Sequence, residues 1–209
     1  MFTLFYAPVT CALAAHIALE ESGAPYRAVR LDFSQNEQRK PEYLAVNPKG
    51  RVPALVSERG VLTETPAILA FVAQSFPAAQ LAPLDDPYAF AQLQSFNSYL
   101  CSTVHVAHAH ARRGNRWADD PAAIDAMKSK VASNMLDYFT LIEREYLQGP
   151  WVFGARYSVA DAYLFTIAGW LENDGVDVNL LPKTLEHRAR MRARPAVQRA
   201  LAQEAASGV

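Results

Sequence analysis

The chain has 209 residues, with 20 Lys and Arg against 21 Asp and Glu, and two cysteines, Cys11 and Cys101. A formal net charge of −1 excludes the strong electrostatic field that draws nucleic acid or an anionic membrane surface, so we expect neither partner. Two cysteines are too few for a disulfide-stapled secreted domain, and no stretch approaches the ~18 apolar residues of a membrane span. We therefore expect a cytoplasmic protein with a packed core.

The first 77 residues predict a small α/β domain. Its first strand, helix and strand form a β-α-β unit, which favours a parallel strand pair. The stretch VPALVSERGVLTE places a Gly-containing turn between two apolar runs, which is typical of a hairpin. The predicted elements, in the order β-α-β-α-β-β-α, are residues 2–7, 11–22, 26–33, 41–47, 52–56, 61–64 and 65–76.

A linker and a helical domain are predicted for the rest of the chain. Residues 78–87 are proline-rich and lack periodicity, which indicates a linker. Apolar residues at three and four spacing then predict an all-helical domain over 88–209, and Ser158 with Asp161 fits a capping box that we assign to folding stability. The four predicted helices are residues 88–111, 121–147, 158–173 and 183–204.

Cys11 is the first candidate for chemistry, because it stands at a predicted helix start for which Thr10 is a plausible N-cap. Unpaired amides and the positive dipole end of a helix stabilise a thiolate and lower its pKa. The alternative is a buried cysteine that packs as a small apolar residue, and position alone leaves both readings open. Residue 14 is Ala, so the paired dithiol of a thioredoxin-type oxidoreductase is absent.

Two further stretches of the first domain are candidates for ligand binding. Pro53 at a strand start leaves backbone groups free for an extended ligand, although such prolines also occur without one. Thr65 and Pro66 mark a second helix start, where free amides attract anions. Together with Cys11, these features indicate a ligand that is peptide-like, anionic and thiol-containing.

His105 and His108 share a helix face at three-residue spacing, which raises the question of a metal site. No nearby Cys or carboxylate completes a ligand set. We therefore expect no metal and interpret the pair as a polar helix face near a cleft.

Four motifs, in order and at matching separations, resemble those of cytosolic glutathione S-transferases, specifically the bacterial beta class. They are FYAPVTCALAAHIALEESG, YLAVNPKGRVPAL, TETPAI and GARYSVADAYLF, and the resemblance covers essentially the whole chain. It implies a thioredoxin-like N-terminal domain with a mixed four-stranded sheet, an all-α C-terminal domain and a homodimer. It also implies an active site in the interdomain cleft, glutathione as co-substrate and a role in bacterial detoxification.

The resemblance assigns glutathione contacts residue by residue. Cys11 would lie beside the glutathione sulfur, and the backbone of Val52, before an expected cis-proline at Pro53, would pair with the cysteinyl part. Glu64 and Thr65 match the pair that holds the γ-glutamyl end.

The resemblance also reaches the helical domain. His105 falls where the family has a histidine that reaches the cleft, and Ser98 stands where close relatives have a glutathione-binding asparagine. The basic residue that some relatives use after the second strand has no clear counterpart, and Arg39 or Lys40 would substitute for it only if the loop bends.

The expected function is a glutathione transferase that conjugates the glutathione thiolate to a small hydrophobic electrophile. We expect Cys11 and the adjacent helix dipole to favour the thiolate, with Tyr6 as a rival catalytic residue and Thr10 as a third candidate. Glutathione-dependent thiol-disulfide exchange or peroxide reduction through Cys11 is a second activity, and a non-catalytic binder of glutathione or apolar ligands is the alternative. The sequence leaves the electrophile unidentified.

Overall fold

A computed structural model of the chain describes residues 1–206 and contains one mixed four-stranded sheet in its first third. The strand order is β2-β1-β3-β4, with β1 parallel to β2 and the other neighbours antiparallel. Leu4 of β1 lies opposite Ala28 of β2 and Leu55 of β3. The predicted parallel pair and hairpin are confirmed. The strands are β1 (Phe2–Tyr6), β2 (Tyr26–Arg30), β3 (Ala54–Ser57) and β4 (Gly60–Thr63).

Three helices accompany the sheet: α1 (Ala12–Ser22), α2 (Pro41–Leu44) and α3 (Thr65–Ser75). Every residue of α1 from Ala12 to Leu19 is buried, because the helix packs against α3 and also against two helices of the second domain. A helix that is buried on all sides has apolar residues on every face, and the alanines of α1 allow its neighbours to pack close to its backbone. Gly23, in the left-handed conformation with φ 68°, ends the helix as predicted.

The rest of the chain up to residue 206 is mainly helical, and one of its helices, α8 (Val159–Ala168), packs against α1. Two predicted helices are in fact pairs: 121–147 breaks at Lys130, and 183–204 breaks before Pro195, which is unsuited to a helix interior. The predicted helix 88–111 contains a π-helical segment, Leu100–Val104. The helices are α4 (Pro87–Tyr99), α5 (His105–Arg113), α6 (Pro121–Ser129), α7 (Val131–Glu145), α8 (Val159–Ala168), α9 (Pro182–Arg192) and α10 (Pro195–Ala206).

Between the two parts, a short 3₁₀ turn (Pro77–Ala79) leads into irregular chain up to α4. The carbonyl of Leu81 accepts the backbone N–H of Val159 (2.9 Å), which ties this connection to the start of α8. The exact bounds of the linker and of the two domains stay a prediction. None of the helices within residues 1–206 is long and apolar enough to cross a membrane.

The predicted capping box at the start of α8 is present, and it does more than cap the helix. The fully buried Asp161 carboxylate accepts the backbone N–H groups of Ser158 and Val152, each at 2.8 Å. His187 of α9 adds its Nε2 at 3.0 Å from the same carboxylate. Asp161 therefore ties together a helix start, a loop and a second helix in the core.

Candidate active site

Two adjoining cavities form one cleft between the sheet domain and the helical domain. Cys11, Arg51, Val52, His105 and Arg116 line both cavities. The first cavity, of about 180 Å³, is lined in addition by Thr10, Phe33, Arg39, Arg113, His108 and Trp170. The second cavity, of about 140 Å³, is lined in addition by Pro53, Glu64, Thr65, Cys101, Trp117 and Tyr163.

Cys11 is the residue immediately before α1. Thr10 contacts the helix start: its hydroxyl oxygen accepts the backbone N–H of Ala12 (3.3 Å) and donates to the carbonyl of Ala7 (2.7 Å). The Cys11 thiol donates to the carbonyl of Val52 at 3.4 Å. The thiol stands at a helix start, as predicted, but the N-cap position is Cys11 itself and not Thr10, because α1 begins one residue later than expected.

The surroundings of Cys11 set the protonation state of its thiol. Burial raises the pKa of the Cys11 thiol to about 11, and the Thr65 hydroxyl and the charge of Arg113 oppose this rise only in part. Of the two readings that position alone left open, the raised pKa agrees with a buried thiol and not with a thiolate stabilised by the helix start. The physical reason is that the free energy lost when a thiolate is removed from water exceeds the stabilisation that the helix dipole provides.

The Val52–Pro53 peptide bond is cis, and β3 begins one residue later. Val52 thus stands just outside the strand pairing, with its carbonyl towards the Cys11 thiol. The preceding residue is fixed by two donors, because the Tyr43 hydroxyl (2.6 Å) and the Asn47 side-chain amide (2.7 Å) both reach the carbonyl of Arg51. This loop presents backbone to the cleft from a rigid support.

Glu64 and Thr65 line the second cavity at the start of α3. Glu64 has φ 71° and ψ 122°, an unusual conformation for a residue with a side chain, and such strain concentrates at functional sites. Its carboxylate contacts Nζ of Lys49 at 2.5 Å. Thr65 is buried, and its hydroxyl lowers the pKa of the nearby Cys11 thiol, against the larger effect of burial.

His105 lines both cavities from the first turn of α5. Burial, followed by the charges of His108 and nearby arginines, lowers the pKa of His105 to about 4, so its imidazole is neutral at physiological pH. His108 stacks on Trp170 with ring centroids 4.2 Å apart, and its Nδ1 contacts the Asp174 carboxylate at 2.8 Å. Within residues 1–206, His, Cys, Asp and Glu side chains form no group of three suited to a metal ion.

The loop before Cys11 is held by the helical domain. Val9 has φ 61°, which is strained for a β-branched residue. Its carbonyl accepts the indole N–H of Trp170 (3.2 Å), and its own N–H donates to the Glu204 carboxylate (3.4 Å). The second domain therefore fixes the backbone that delivers Cys11 to the cleft.

Arginines gather at the first cavity: Arg39 and Arg51 come from the sheet domain, and Arg113 and Arg116 come from the end of α5 and the turn after it. Arg39 packs over Gly50, where a Cβ would stand 2.9 Å from the Arg39 guanidinium. The other basic residue considered at that loop, Lys40, instead pairs with Glu37 at 3.6 Å.

Two predicted site residues lie outside the cleft. The Tyr6 ring is buried in the core against His16, with centroids 5.2 Å apart, and lines neither cavity. Ser98 is exposed on α4 and also lines neither cavity. We correct both assignments for this chain: β1 turns Tyr6 towards α1, and α4 turns Ser98 to solvent.

Sequence reasoning missed Cys101 as a cleft residue. It lies in the π-helical segment, lines the second cavity with Cys11, and hydrogen-bonds with Tyr163. The two cysteines are ninety positions apart, so only the packing of the two domains brings them to one cavity.

Comparisons with known proteins agree with this architecture. The family model of the glutathione S-transferase N-terminal domain matches residues 1–74, and that of the C-terminal domain matches residues 108–202. Glutathione S-transferase GstA of Escherichia coli O157:H7 is 35% identical over 208 residues, covering 96% of this chain and 98% of that protein.

Solved structures extend the similarity. A glutathione transferase homologue from Sulfitobacter with bound glutathione is 46% identical with a TM-score of 0.94, covering 97% of this chain and 98% of that one. The beta-class glutathione S-transferase of Sphingomonas chungbukensis is 35% identical with a TM-score of 0.84 over 97% and 98% of the two chains. The chain belongs to the glutathione S-transferase family.

Proposed function

We propose that the chain binds glutathione in the cleft and transfers its thiol to small electrophiles. The observation that carries this proposal is the convergence of Cys11, Val52, Thr65 and His105, from four separate parts of the chain, on the second cavity. Cys11, Val52 and Thr65 lie in motifs that resemble those of the family, and His105 falls where the family has a histidine that reaches the cleft. The family match and the glutathione bound to the Sulfitobacter homologue support the same function.

Each end of glutathione finds a suitable group. The backbone of Val52 pairs with the cysteinyl unit, and the Glu64 carboxylate accepts the γ-glutamyl ammonium. The start of α3 at Thr65 faces the γ-glutamyl carboxylate with free amides. Arg39 and Arg51 receive the glycyl carboxylate, because guanidinium groups bind carboxylates in a bidentate way.

Activation of the thiol is electrostatic. The glutathione thiol gives up its proton to solvent, its sulfur bonds to the electrophilic carbon, and the leaving group departs with the bonding electron pair. Lowering a thiol pKa of ~8.5 by roughly two units makes most of it thiolate at neutral pH. Once the Val52 carbonyl pairs with the cysteinyl N–H of glutathione, the Cys11 S–H, kept protonated by its raised pKa, turns from that carbonyl and donates to the thiolate; the arginines and the start of α1 add positive potential.

The direct test measures glutathione binding by calorimetry and conjugation of 1-chloro-2,4-dinitrobenzene. We expect Glu64→Gln to weaken glutathione binding about tenfold, since it removes one charge-assisted contact. We expect Cys11→Ala to lower the rate of conjugation while glutathione still binds. A chain that neither binds glutathione nor turns over electrophiles would refute the proposal, whereas binding without turnover would favour the non-catalytic alternative.

A second activity, thiol-disulfide exchange, follows from the position of Cys11 at the sulfur site. The Cys11 thiolate attacks oxidised glutathione, a Cys11–glutathione disulfide forms, and one glutathione thiolate leaves. Intact mass after incubation with oxidised glutathione should show one added glutathionyl group, absent in Cys11→Ala. Wild-type chain that stays unmodified at alkaline pH, where the thiolate forms, would exclude this activity.

We further propose the domain bounds 1–77 and 88–209 with a linker over 78–87, a homodimer, and a cytoplasmic location where reduced glutathione is available. The family resemblance supports all three. Sedimentation equilibrium tests the homodimer, and a monomer at micromolar concentration would refute it.

A further inference from the structure

We propose that Arg113 and Arg116 form a subsite for an acidic group on the second substrate, so that this transferase prefers planar electrophiles that carry a carboxylate. The inference rests on the proposed function and adds a substrate class to it. It stands on the distribution of charge around the first cavity and on the domain from which each charge comes.

The first cavity is cationic without compensation. Four guanidinium groups line it, whereas no Asp or Glu is among its lining residues in the part of the chain that the structure describes. Within residues 1–206, none of the four arginines forms an ion pair. A single unpaired arginine on an open surface is ordinary, but four around one concave site concentrate potential that attracts anions.

The four charges act on one another. Burial and the charges of Arg113, Arg51 and Arg39 lower the pKa of Arg116. Like charges held together oppose folding, and a bound anion relieves that repulsion. The arrangement is therefore suited to an anionic ligand that spans the cleft.

Bound glutathione would pair with only two of the four arginines. Its glycyl end carries one carboxylate, which Arg39 and Arg51 of the sheet domain satisfy as a pair. Arg113 and Arg116 belong to the helical domain, and Arg116 also lines the second cavity together with Trp117. The charge of Arg113 also acts on the Cys11 sulfur, beside which the glutathione sulfur lies in the proposed complex, so the arginine pair of the helical domain is placed for the second substrate.

An aromatic side chain completes the subsite. Trp117, which is about half exposed, lines the second cavity together with Arg116, whereas Trp170 of the first cavity is buried and already stacked on His108. Indole rings bind flat apolar bodies, while guanidinium groups bind the acidic substituent. The combined site fits a planar ring with a carboxylate better than a wholly apolar electrophile.

The experiment compares an anionic probe with its neutral counterpart. Quenching of tryptophan fluorescence by 3-nitrobenzoate and by 3-nitrobenzamide gives two dissociation constants, measured with saturating S-methylglutathione, which occupies the glutathione site without reacting. We expect the wild-type protein to bind the benzoate at least about tenfold more tightly, and Arg113→Gln/Arg116→Gln to reduce the ratio to about twofold or less.

The matched control is Arg112→Gln, because Arg112 is exposed on the same helix and lines neither cavity. This variant should keep the wild-type preference for the benzoate. Equal affinities for the two probes in the wild-type protein, or a preference that survives in the double variant, would overturn the inference. Thermal melts of all variants verify that a lost preference does not reflect unfolding.

Two outcomes separate this inference from the proposed function. In the first outcome, the double variant no longer binds S-methylglutathione, and the wild-type protein prefers the benzoate only when S-methylglutathione is absent. The arginine pair then binds glutathione itself, and the inference is wrong. If S-methylglutathione fails to bind the wild-type chain, the proposed function fails, and the benzoate-to-benzamide ratio measured without it still decides the inference. Conjugation of 4-chloro-3-nitrobenzoate and its amide, each relative to its uncatalysed rate, should show the same preference.

Discussion

The reactivity of Cys11 towards an alkylating agent tests the protonation state that the structure assigns to it. A pKa of about 11 leaves roughly 0.03% of the thiol ionised at about pH 7.4, against roughly 7% for a free cysteine. The thiolate fraction is thus about 300-fold smaller. A more basic thiolate is a better nucleophile, and this raises the rate constant of the thiolate about 13-fold. Cys11 should therefore react about 20-fold more slowly than a free cysteine.

The assay follows iodoacetamide adducts by intact mass in a Cys101→Ser variant, where Cys11 is the only thiol. We expect the logarithm of the rate constant to rise with unit slope from about pH 6.5 to about pH 10, because the thiolate fraction grows tenfold for each pH unit. The same chain unfolded in urea should react as a free cysteine. A plateau below about pH 8, or a rate at neutral pH above that of free cysteine, would show that the helix start outweighs burial.

Three further predictions concern neighbouring groups. Thr65→Val should slow Cys11 alkylation by roughly tenfold at neutral pH, because the hydroxyl that stabilises the thiolate is lost; an unchanged rate would contradict that contact. His105 is neutral in the folded chain and protonates more readily when unfolded, so stability falls as pH drops from about 6.5 to 4. Urea unfolding should show that His105→Gln recovers about 2 kcal/mol of this loss at about pH 4.5, and equal acid sensitivity of both proteins would refute the shift. Asp161→Ala should cost about 3–5 kcal/mol because buried donors lose their acceptor, against about 1 kcal/mol for Ser158→Ala, and equal costs would rule out the wider role of Asp161.

Much of the fold could be predicted because local patterns and packing agree. Residue types at adjacent positions are enough to predict three features: the β-α-β unit, the left-handed Gly23 after α1 and the capping box at Ser158. The break at Lys130 and the π-helical segment 100–104 have no such local signal. Apolar periodicity continues through both, so only the packing of neighbouring helices decides where the chain turns.

The site was predictable where a motif carries its own geometry. Cys11, Val52 and Thr65 each sit at a helix or strand start, and the structure places all three at the cleft. Tyr6 could have been assigned to the core, since on β1 it shares a face with the fully buried Leu4. The pKa of Cys11 could not be foreseen, because it depends on how much of the second domain covers the thiol.

The arginine cluster at the first cavity could not be predicted from the sequence either. Arg39, Arg51, Arg113 and Arg116 stand in unremarkable polar segments, and a net charge near zero gives no hint of them. Long-range packing alone collects them around one cavity. Local field, unlike overall charge, is a property of the folded chain.

The hydrogen bond from Trp170 to the carbonyl of Val9 has a consequence for protein engineering. A chimera that joins this sheet domain to a helical domain from another family member would keep every predicted glutathione contact of the first 77 residues. Where the incoming domain has no tryptophan at the position of Trp170, the chimera would lose the indole that fixes the strained loop before Cys11, and the thiol would shift even though its own domain was intact. The two domains therefore cannot be exchanged as independent parts, and libraries that recombine them should carry Trp170 and residues 7–11 together.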